Sequence, residues 1–184
     1  SKDERAKVIN HMGKLKMDFY LYGPKEDLYH RIEWGKTYAA EEQKTLRNLV
    51  DQCKKNKIKP IFAISPGLRS SKLSKNFVRS LNSKLKQAHQ LGFKDFAIFF
   101  DDIEHEKEKE LAKFHLTIIN SVSSIDFLKK NSLMVCPTVY CKSFAKGNIQ
   151  KNEYLKALAE DIDPSISILW TGDEVVSQSI PQKG

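Results

Sequence analysis

The sequence predicts an α/β protein with a parallel sheet, because short apolar segments alternate with segments of helical period along the chain. Five apolar segments, rich in aromatic and β-branched residues, are the candidate strands: residues 19–22, 60–64, 96–100, 133–136 and 166–170. Between them, apolar side chains recur every three or four residues, as they do on one face of a helix. This alternation favours successive right-handed βαβ units.

The helices are predicted one by one from their apolar stripes. A helix over residues 5–16 precedes the first strand. The next four are indicated by apolar residues at helical spacing: Leu46, Leu49, Val50 and Cys53; Phe77, Leu81, Leu85 and Ala88; Leu111, Phe114, Ile118, Val122 and Ile125; and Tyr154, Leu155 and Leu158. Each of these four helices connects two strands, as a parallel sheet requires.

Periodicity alone does not decide between two arrangements of the parallel sheet, a doubly wound sheet and a (β/α)8 barrel. A doubly wound sheet usually carries a Gly-rich phosphate-binding loop after its first strand, and the chain contains neither GxGxxG nor a P-loop. A (β/α)8 barrel needs about 250 residues, more than the 184 present. Five strands in series that begin with a helix and end just past a strand resemble the middle of a barrel with both ends missing.

Composition and charge exclude several classes of protein. The chain is 40% hydrophobic, which supports an ordered domain. The net charge of +8 comes from dispersed lysines with no interleaved basic and aromatic segment, so we expect no nucleic-acid partner. Three cysteines without a CxxC pair predict free thiols. No apolar run reaches the length of a membrane span, so we expect no membrane partner.

The most informative motif is the pair Asp101-Asp102, which follows the apolar segment 96–100. Sites of parallel α/β proteins gather where strands end. Consecutive Cα atoms lie about 3.8 Å apart, whereas the two carboxyls of an inverting glycosidase lie about 6.5–9.5 Å apart. The pair instead suits a reaction in which the substrate supplies its own nucleophile. One carboxylate would orient that group while the other protonates the leaving oxygen.

Two other interpretations of the pair stay open. In the first, Asp101 only caps the helix that follows it, with Asp102 and Glu104 complementing the dipole of that helix. With Glu104, His105 and Glu106, the pair would instead bind a divalent metal ion, since clustered carboxylates suit Mg²⁺ or Mn²⁺. Two adjacent carboxyl groups also drive their pKa values apart, which favours one protonated acid and one ionised group.

The other strands also run into polar or turn-forming residues where they end. These segments are Tyr22-Gly23-Pro24-Lys25-Glu26-Asp27, Ser65-Pro66-Gly67-Leu68, Pro137-Thr138-Val139-Tyr140-Cys141 and Thr171-Gly172-Asp173-Glu174. In a parallel barrel all of them line one rim, beside the aspartate pair.

Taken together, these segments resemble the catalytic domain of glycoside hydrolase family 84, which includes protein O-GlcNAcases and bacterial β-N-acetylglucosaminidases. Five segments match in order: residues 20–34, 63–68, 96–103, 136–141 and 169–177. The resemblance implies a (β/α)8 barrel of which residues 1–184 form the central part, about the second to sixth strands. The family's Gly-rich first strand and its later Trp-Asp-Asn and Asn-Asp segments are not among the 184 residues.

The resemblance also implies a reaction. In the family, the first aspartate of the pair orients the substrate's 2-acetamido group onto the anomeric carbon, and the attack gives an oxazoline. Asp101 matches this first aspartate. The second aspartate, matched by Asp102, protonates the glycosidic oxygen and then activates water. The resemblance therefore implies a retaining β-N-acetylglucosaminidase that needs no cofactor and no metal ion.

Four further residues match positions that contact the substrate in the family. Lys25 matches a lysine that hydrogen-bonds the sugar, while Tyr140 and Cys136 match the surroundings of the acetamido group. Val175 matches the wall of the pocket.

The resemblance is closer to animal intracellular members than to secreted bacterial ones. It implies O-GlcNAc on Ser or Thr of proteins as substrate, or else GlcNAc-containing glycans, and a cytoplasmic or nuclear location; a bacterial-type relative would be secreted. The chain departs from the family pattern at Val139, Arg69 and Asp173-Glu174. The alternative function is a catalytically silent carbohydrate-binding or scaffolding domain on the same barrel.

Overall fold

The structure is a computed structural model that describes residues 2–66, 75–101, 103 and 108–179. Its strands form one sheet in which every neighbouring pair is parallel. The strands are β1 Phe19–Tyr22, β2 Lys59–Ile64, β3 Asp95–Phe99, β4 Leu133–Cys136 and β5 Ser167–Ile168. The predicted bounds of β1 and β4 are confirmed, whereas β5 is shorter than predicted because only two of its residues pair with β4.

Helices connect the strands as predicted. They are α1 Lys2–Lys14, α2 Ala40–Lys55, α3 Lys75–Gln90, α4 Glu108–Ser123 and α5 Glu153–Asp161, with a 3₁₀ turn Ile149–Lys151 before α5. The stripes predicted for α2 and α3 are buried. In α4 the buried face is rotated from the prediction, so that Ala112, His115 and Leu116 are buried while Leu111 and Phe114 are only partly so.

Strand order decides between the two arrangements. The strands follow one another in sequence order, β1-β2-β3-β4-β5, without the reversal that defines a doubly wound sheet. One apolar core joins one face of the sheet to helices α1–α5, through residues such as Ile9, Leu46, Leu81, Leu116 and Tyr154. A parallel sheet that runs in one direction with its helices on one face is barrel architecture.

The two faces of the sheet carry different side chains, since successive residues of a strand point to opposite sides. Phe62, Phe96 and Val135 belong to the core under the helices. Ile61, Ala63 and Ala97 form a small second cluster with Leu21, Phe99 and Met134 on the other face. In a closed barrel this second face is the interior.

Among the residues that the structure describes, none of the helices is long and apolar enough to cross a membrane.

Candidate functional site

The carboxyl ends of the strands are joined by backbone hydrogen bonds into one rim. Ser65 N–H, after β2, donates to the carbonyl of His30 in the β1–α2 loop, at 3.0 Å. Phe100 N–H, after β3, donates to the carbonyl of Cys136 at 2.9 Å, and Thr171 N–H, after β5, donates to that of Tyr140 at 3.0 Å. The loops in which the sequence predicts a site are therefore neighbours in space.

Asp101 lies in a turn at this rim, separated from the end of β3 by Phe100 alone. Its carboxylate Oδ2 is 3.9 Å from Nη2 of Arg31, and both side chains are mostly buried, with 22% and 14% of their areas exposed. A guanidinium at this distance favours the ionised carboxylate. Ile103 is not helical and α4 begins at Glu108, so the interpretation of Asp101 as the cap of a directly following helix is wrong.

Asp102 lies outside the described residues, as do Glu104, His105 and Glu106. Within the described ranges, no group of three or more His, Cys, Asp or Glu side chains is placed to hold a metal ion. The role of Asp102 and the absence of a metal ion both stay predictions.

The loop between β1 and α2, which contains Lys25 and Arg31, is held by a carboxylate that the sequence analysis did not single out. Asp27 Oδ2 accepts hydrogen bonds from the hydroxyls of Tyr22, at 2.8 Å, and Tyr38, at 2.7 Å. Its Oδ1 accepts one from the backbone N–H of Tyr29 at 2.9 Å. Burial, reinforced by the Asp27 charge, raises the pKa of Tyr22 and Tyr38 well above the usual tyrosine range. Both hydroxyls therefore stay protonated as donors.

Lys84, from α3, reaches under the same loop and is buried. Its amino nitrogen lies 3.4 Å from the centre of the Tyr38 ring and donates a hydrogen bond to the carbonyl of Lys36 at 2.6 Å. Burial lowers the pKa of Lys84 to about 7, and the negative charge of Asp27 opposes this shift. A polar core thus anchors the loop to β1 and α3.

His30, near the middle of the loop, fixes it to β2. Its ring is buried, and Nδ1 lies 2.7 Å from the carbonyl oxygen of Ala63 in β2. Because a carbonyl only accepts, Nδ1 carries the proton in this contact. Burial lowers the pKa of His30, which keeps the imidazole neutral at physiological pH. Gly23 lies against this ring: a Cβ there would be 3.2 Å from His30 Cε1 and 3.1 Å from the Ala63 Cβ.

The remaining predicted site residues lie in the rim loops. Lys25 is exposed in the turn that begins the β1–α2 loop. Cys136 ends β4, and the partly buried Tyr140 packs edge to face on Phe144 with ring centres 5.1 Å apart. Val175 is 44% exposed in the loop after β5. Contacts of these four with a substrate stay predictions.

Three residues that support this rim were not identified from the sequence: Asp27, Arg31 and Lys84. The segment containing Asp27 and Arg31 was noted only as part of a matching loop, and Lys84 reads as one of many surface lysines. The partners of Arg31 and Lys84 lie far away in the chain, and a single sequence carries no signal of such contacts.

A parallel sheet in sequence order, with its helices on one face and polar groups where its strands end, defines a protein of the (β/α)8-barrel class. The family model described as NAGidase, beta-N-acetylglucosaminidase, matches residues 1–184. The chain belongs to this family of glycoside hydrolases, family 84.

The similar proteins that are known agree with this membership. The chain is 35% identical to mouse (Mus musculus) protein O-GlcNAcase over 187 aligned residues, which cover 97% of the chain and 20% of the mouse protein. Identity to the rat (Rattus norvegicus) protein O-GlcNAcase is 34%, with the same coverage. The chain therefore spans about a fifth of the length of these curated relatives.

A solved structure, that of CpGH84B, superimposes with a TM-score of 0.83 at 31% identity. It covers 96% of this chain, which corresponds to 32% of the CpGH84B chain. The predicted fold class, an α/β barrel of which this chain covers a part, is confirmed.

Proposed function

We propose that this protein is a retaining β-N-acetylglucosaminidase in which the 2-acetamido group of the substrate is the nucleophile. Residues 1–184 contribute the central segment of its catalytic barrel, and the rest of that domain is their partner. The substrate is N-acetylglucosamine linked to Ser or Thr of proteins, the modification named in the mouse and rat relatives.

In the first step Asp101, as a carboxylate, accepts a hydrogen bond from the acetamido N–H. This draws electron density toward the acetamido carbonyl oxygen, which forms a bond to the anomeric carbon as the glycosidic bond breaks. Asp102 delivers its proton to the leaving oxygen, so the aglycone departs as an alcohol. The product is a bicyclic oxazoline in its N-protonated (oxazolinium) form, whose N–H stays hydrogen-bonded to Asp101, and the attack is effectively intramolecular.

In the second step Asp102, now ionised, takes a proton from a water molecule that attacks the anomeric carbon. The bond from the acetamido oxygen to that carbon breaks and the acetamide is regenerated. Two inversions at one carbon give net retention of configuration.

The observation that carries this proposal is the environment of Asp101. The reaction needs one ionised and one protonated carboxyl side by side, and the Arg31 guanidinium 3.9 Å from Asp101 favours ionisation at the first position. A neighbouring carboxylate of fixed charge in turn favours the protonated form of Asp102. Cys136 ends the strand adjacent to β3, where the acetamido pocket is proposed.

The test is hydrolysis of a chromogenic N-acetyl-β-glucosaminide by the full-length protein. We expect Asp102→Asn to lower kcat by about 10²–10⁴-fold, since it removes the general acid and base, while sugar binding persists. Asp51→Asn, an exposed aspartate on α2, is the matched control and should leave kcat unchanged. The corresponding β-glucoside, which has no acetamido group, should remain intact.

Other outcomes separate the remaining candidates. A wild-type protein that binds N-acetylglucosamine but cleaves none of these substrates would be the silent binding domain. Loss of hydrolysis on treatment with a chelator would instead indicate the metal-dependent alternative. A higher kcat/KM on a Ser-linked N-acetylglucosamine peptide than on an N-acetylglucosamine disaccharide would support the protein substrate.

A further inference from the structure

A closed set of buried contacts lies directly beneath the start of the Asp101 turn. It consists of Phe100, Thr138, His115 and Tyr154, from the end of β3, the end of β4, α4 and α5 respectively, and is called here the Thr138 network. All four residues are buried, and His115, Tyr154 and Phe100 have no exposed area. Four separate elements of the fold therefore meet at the residue before Asp101.

The contacts run in a ring. Thr138 Oγ1 donates a hydrogen bond to the backbone carbonyl of Phe100 at 2.7 Å, and Thr138 N–H donates to the hydroxyl oxygen of Tyr154 at 3.2 Å. That hydroxyl lies 2.9 Å from Nδ1 of His115. The ring closes because the His115 imidazole stacks on the Phe100 ring, with centres 3.8 Å apart and planes 8° apart.

The direction of the hydrogen bonds follows from the chemistry of the groups. The Tyr154 oxygen accepts from the Thr138 N–H, and its hydroxyl proton is the donor to Nδ1 when His115 carries its own proton on Nε2. Burial raises the pKa of Tyr154 to about 12, against the opposing effect of its hydrogen bonds with Thr138. The tyrosine therefore keeps this proton across the physiological range. Hydrogen bonds between buried groups on different elements hold those elements in place relative to one another.

We propose that the Thr138 network is a positioning device for the reaction, which fixes the aspartate pair at the end of β3 relative to the acetamido pocket at the end of β4. This inference rests on the proposed function. Thr138 lies midway between Cys136 and Tyr140, the two residues assigned to that pocket, and its hydroxyl holds the carbonyl that immediately precedes Asp101. One side chain thus links the backbone next to Asp101 to the segment proposed to form that pocket.

A network of this kind acts on the chemical step more than on binding. The acetamido oxygen must meet the anomeric carbon along a narrow approach, and a misplacement of about 1 Å costs on the order of 100-fold in rate. Binding of the sugar depends on contacts distributed over the whole pocket, so KM should change little.

The test uses two substitutions at Thr138 in the full-length protein. Thr138→Val keeps the shape of the side chain and removes the hydroxyl, whereas Thr138→Ser keeps the hydroxyl and removes a methyl group. We expect Thr138→Val to lower kcat at least about tenfold with KM changed less than about threefold, and Thr138→Ser to retain most of the wild-type kcat. Thermal unfolding of each variant shows the folded fraction to which kcat is referred.

Tyr154→Phe gives a second, independent readout, because it removes only the hydroxyl oxygen shared by Thr138 and His115. It should lower kcat in the same way, and its effect should be less than additive with Thr138→Val, since both break one network. Tyr20→Phe on β1 is the matched control and should keep the wild-type kcat.

The outcomes distinguish this inference from the proposed function. If the wild type cleaves the substrate and the folded Thr138→Val and Tyr154→Phe proteins do so at the wild-type kcat, the network is only structural and the inference is overturned. Equal losses in Thr138→Val and Thr138→Ser would also overturn it. A wild type that cleaves no N-acetylglucosaminide would refute the proposed function itself, and the positioning role with it.

Discussion

Lys84 shows how a single buried charge shapes the loop beside the site. Its long side chain passes from α3 under the β1–α2 loop, and its amino nitrogen meets one carbonyl and the faces of two aromatic rings, Tyr38 and Tyr29. These contacts replace only part of the solvation that the ammonium group has in water, so the charged form is disfavoured. The loop that contains Lys25 and Arg31 is therefore anchored on a group that titrates near neutral pH.

This burial predicts a pH dependence of stability. Lysine in an unfolded chain has a pKa of about 10.4, whereas Lys84 in the folded protein has one of about 7. Between these values the unfolded state binds a proton that the folded state lacks, so the free energy of unfolding rises with pH, by up to about 1.4 kcal/mol per unit. Below pH 7 both states bind the proton and the contribution to the slope disappears.

The measurement is urea unfolding between pH 6 and pH 10 for the wild type and for Lys84→Met, which removes the titrating group but keeps a long apolar side chain. We expect the variant to lose the rise above pH 7. Lys86→Met is the matched control, because Lys86 lies on the same helix and is exposed. Identical pH profiles for the wild type and Lys84→Met would show that Lys84 does not titrate in this window.

At the scale of single residues, the sequence could predict those whose role follows from their neighbours along the chain, but not those whose role depends on a distant partner. Asp101 was found because it directly follows a predicted strand, which a sequence displays. Its partner Arg31 and the pair Lys84 and Tyr38 were not found, since ion pairs and ring contacts between distant segments require the fold. His115 was likewise overlooked, because a single histidine in an apolar helix shows no spacing typical of a site.

Among the elements, the β1–α2 loop brings its backbone close to the sheet where the loop begins. Gly23 starts it, and the Cβ of Ala63 and the ring of His30 leave little room above its Cα. The reason for a glycine here is this close approach of the loop to β2, since its φ is not among the positive values of the chain.

Gly23→Ala should therefore displace the loop. The new Cβ would lie 3.1 Å from the Ala63 Cβ and 3.2 Å from His30 Cε1, which forces the neighbours apart by a few tenths of an ångström. We expect a stability loss of about 1–3 kcal/mol, typical of overpacking, and a higher KM for N-acetylglucosaminides because Lys25 follows two residues later. Both are measured by thermal unfolding and steady-state kinetics.

Gly35→Ala is the control in the same loop, because a Cβ there meets only Ser80 at 3.5 Å, an ordinary contact. It should leave stability and KM nearly unchanged. If Gly23→Ala behaves like Gly35→Ala, the loop has more freedom than the packing around His30 implies.

The periodicity of apolar residues predicts which helices and strands exist. It predicts their buried faces and their first and last residues less well. β1 and β4 were located correctly because each is a short apolar run, whereas β5 was predicted too long, since apolar residues such as Trp170 continue beyond the last pairing with β4. In α4 the tertiary environment selected a face that includes His115, which the apolar stripe did not indicate.

At the scale of the whole molecule, the sheet has two edges. Its first and last strands are β1 and β5, each paired on one side only among the described residues. The face that would be the barrel interior carries partly buried apolar side chains, including Leu21, Phe99 and Met134. Strand edges and apolar surface of this kind need a partner, and we assign that role to the rest of the catalytic domain.

We therefore predict that residues 1–184, expressed alone, hydrolyse N-acetylglucosaminides weakly or not at all. The aspartate pair and the acetamido pocket are proposed within this segment, but a rim made by five strands surrounds only part of a sugar, and the chain corresponds to 32% of the CpGH84B chain. The assay is release of a chromogenic aglycone at high protein concentration, with the complete catalytic domain as the positive control and the Asp102→Asn segment as the background. Robust turnover by the segment, absent from its Asp102→Asn variant, would mean that the five-stranded half-open rim suffices for catalysis.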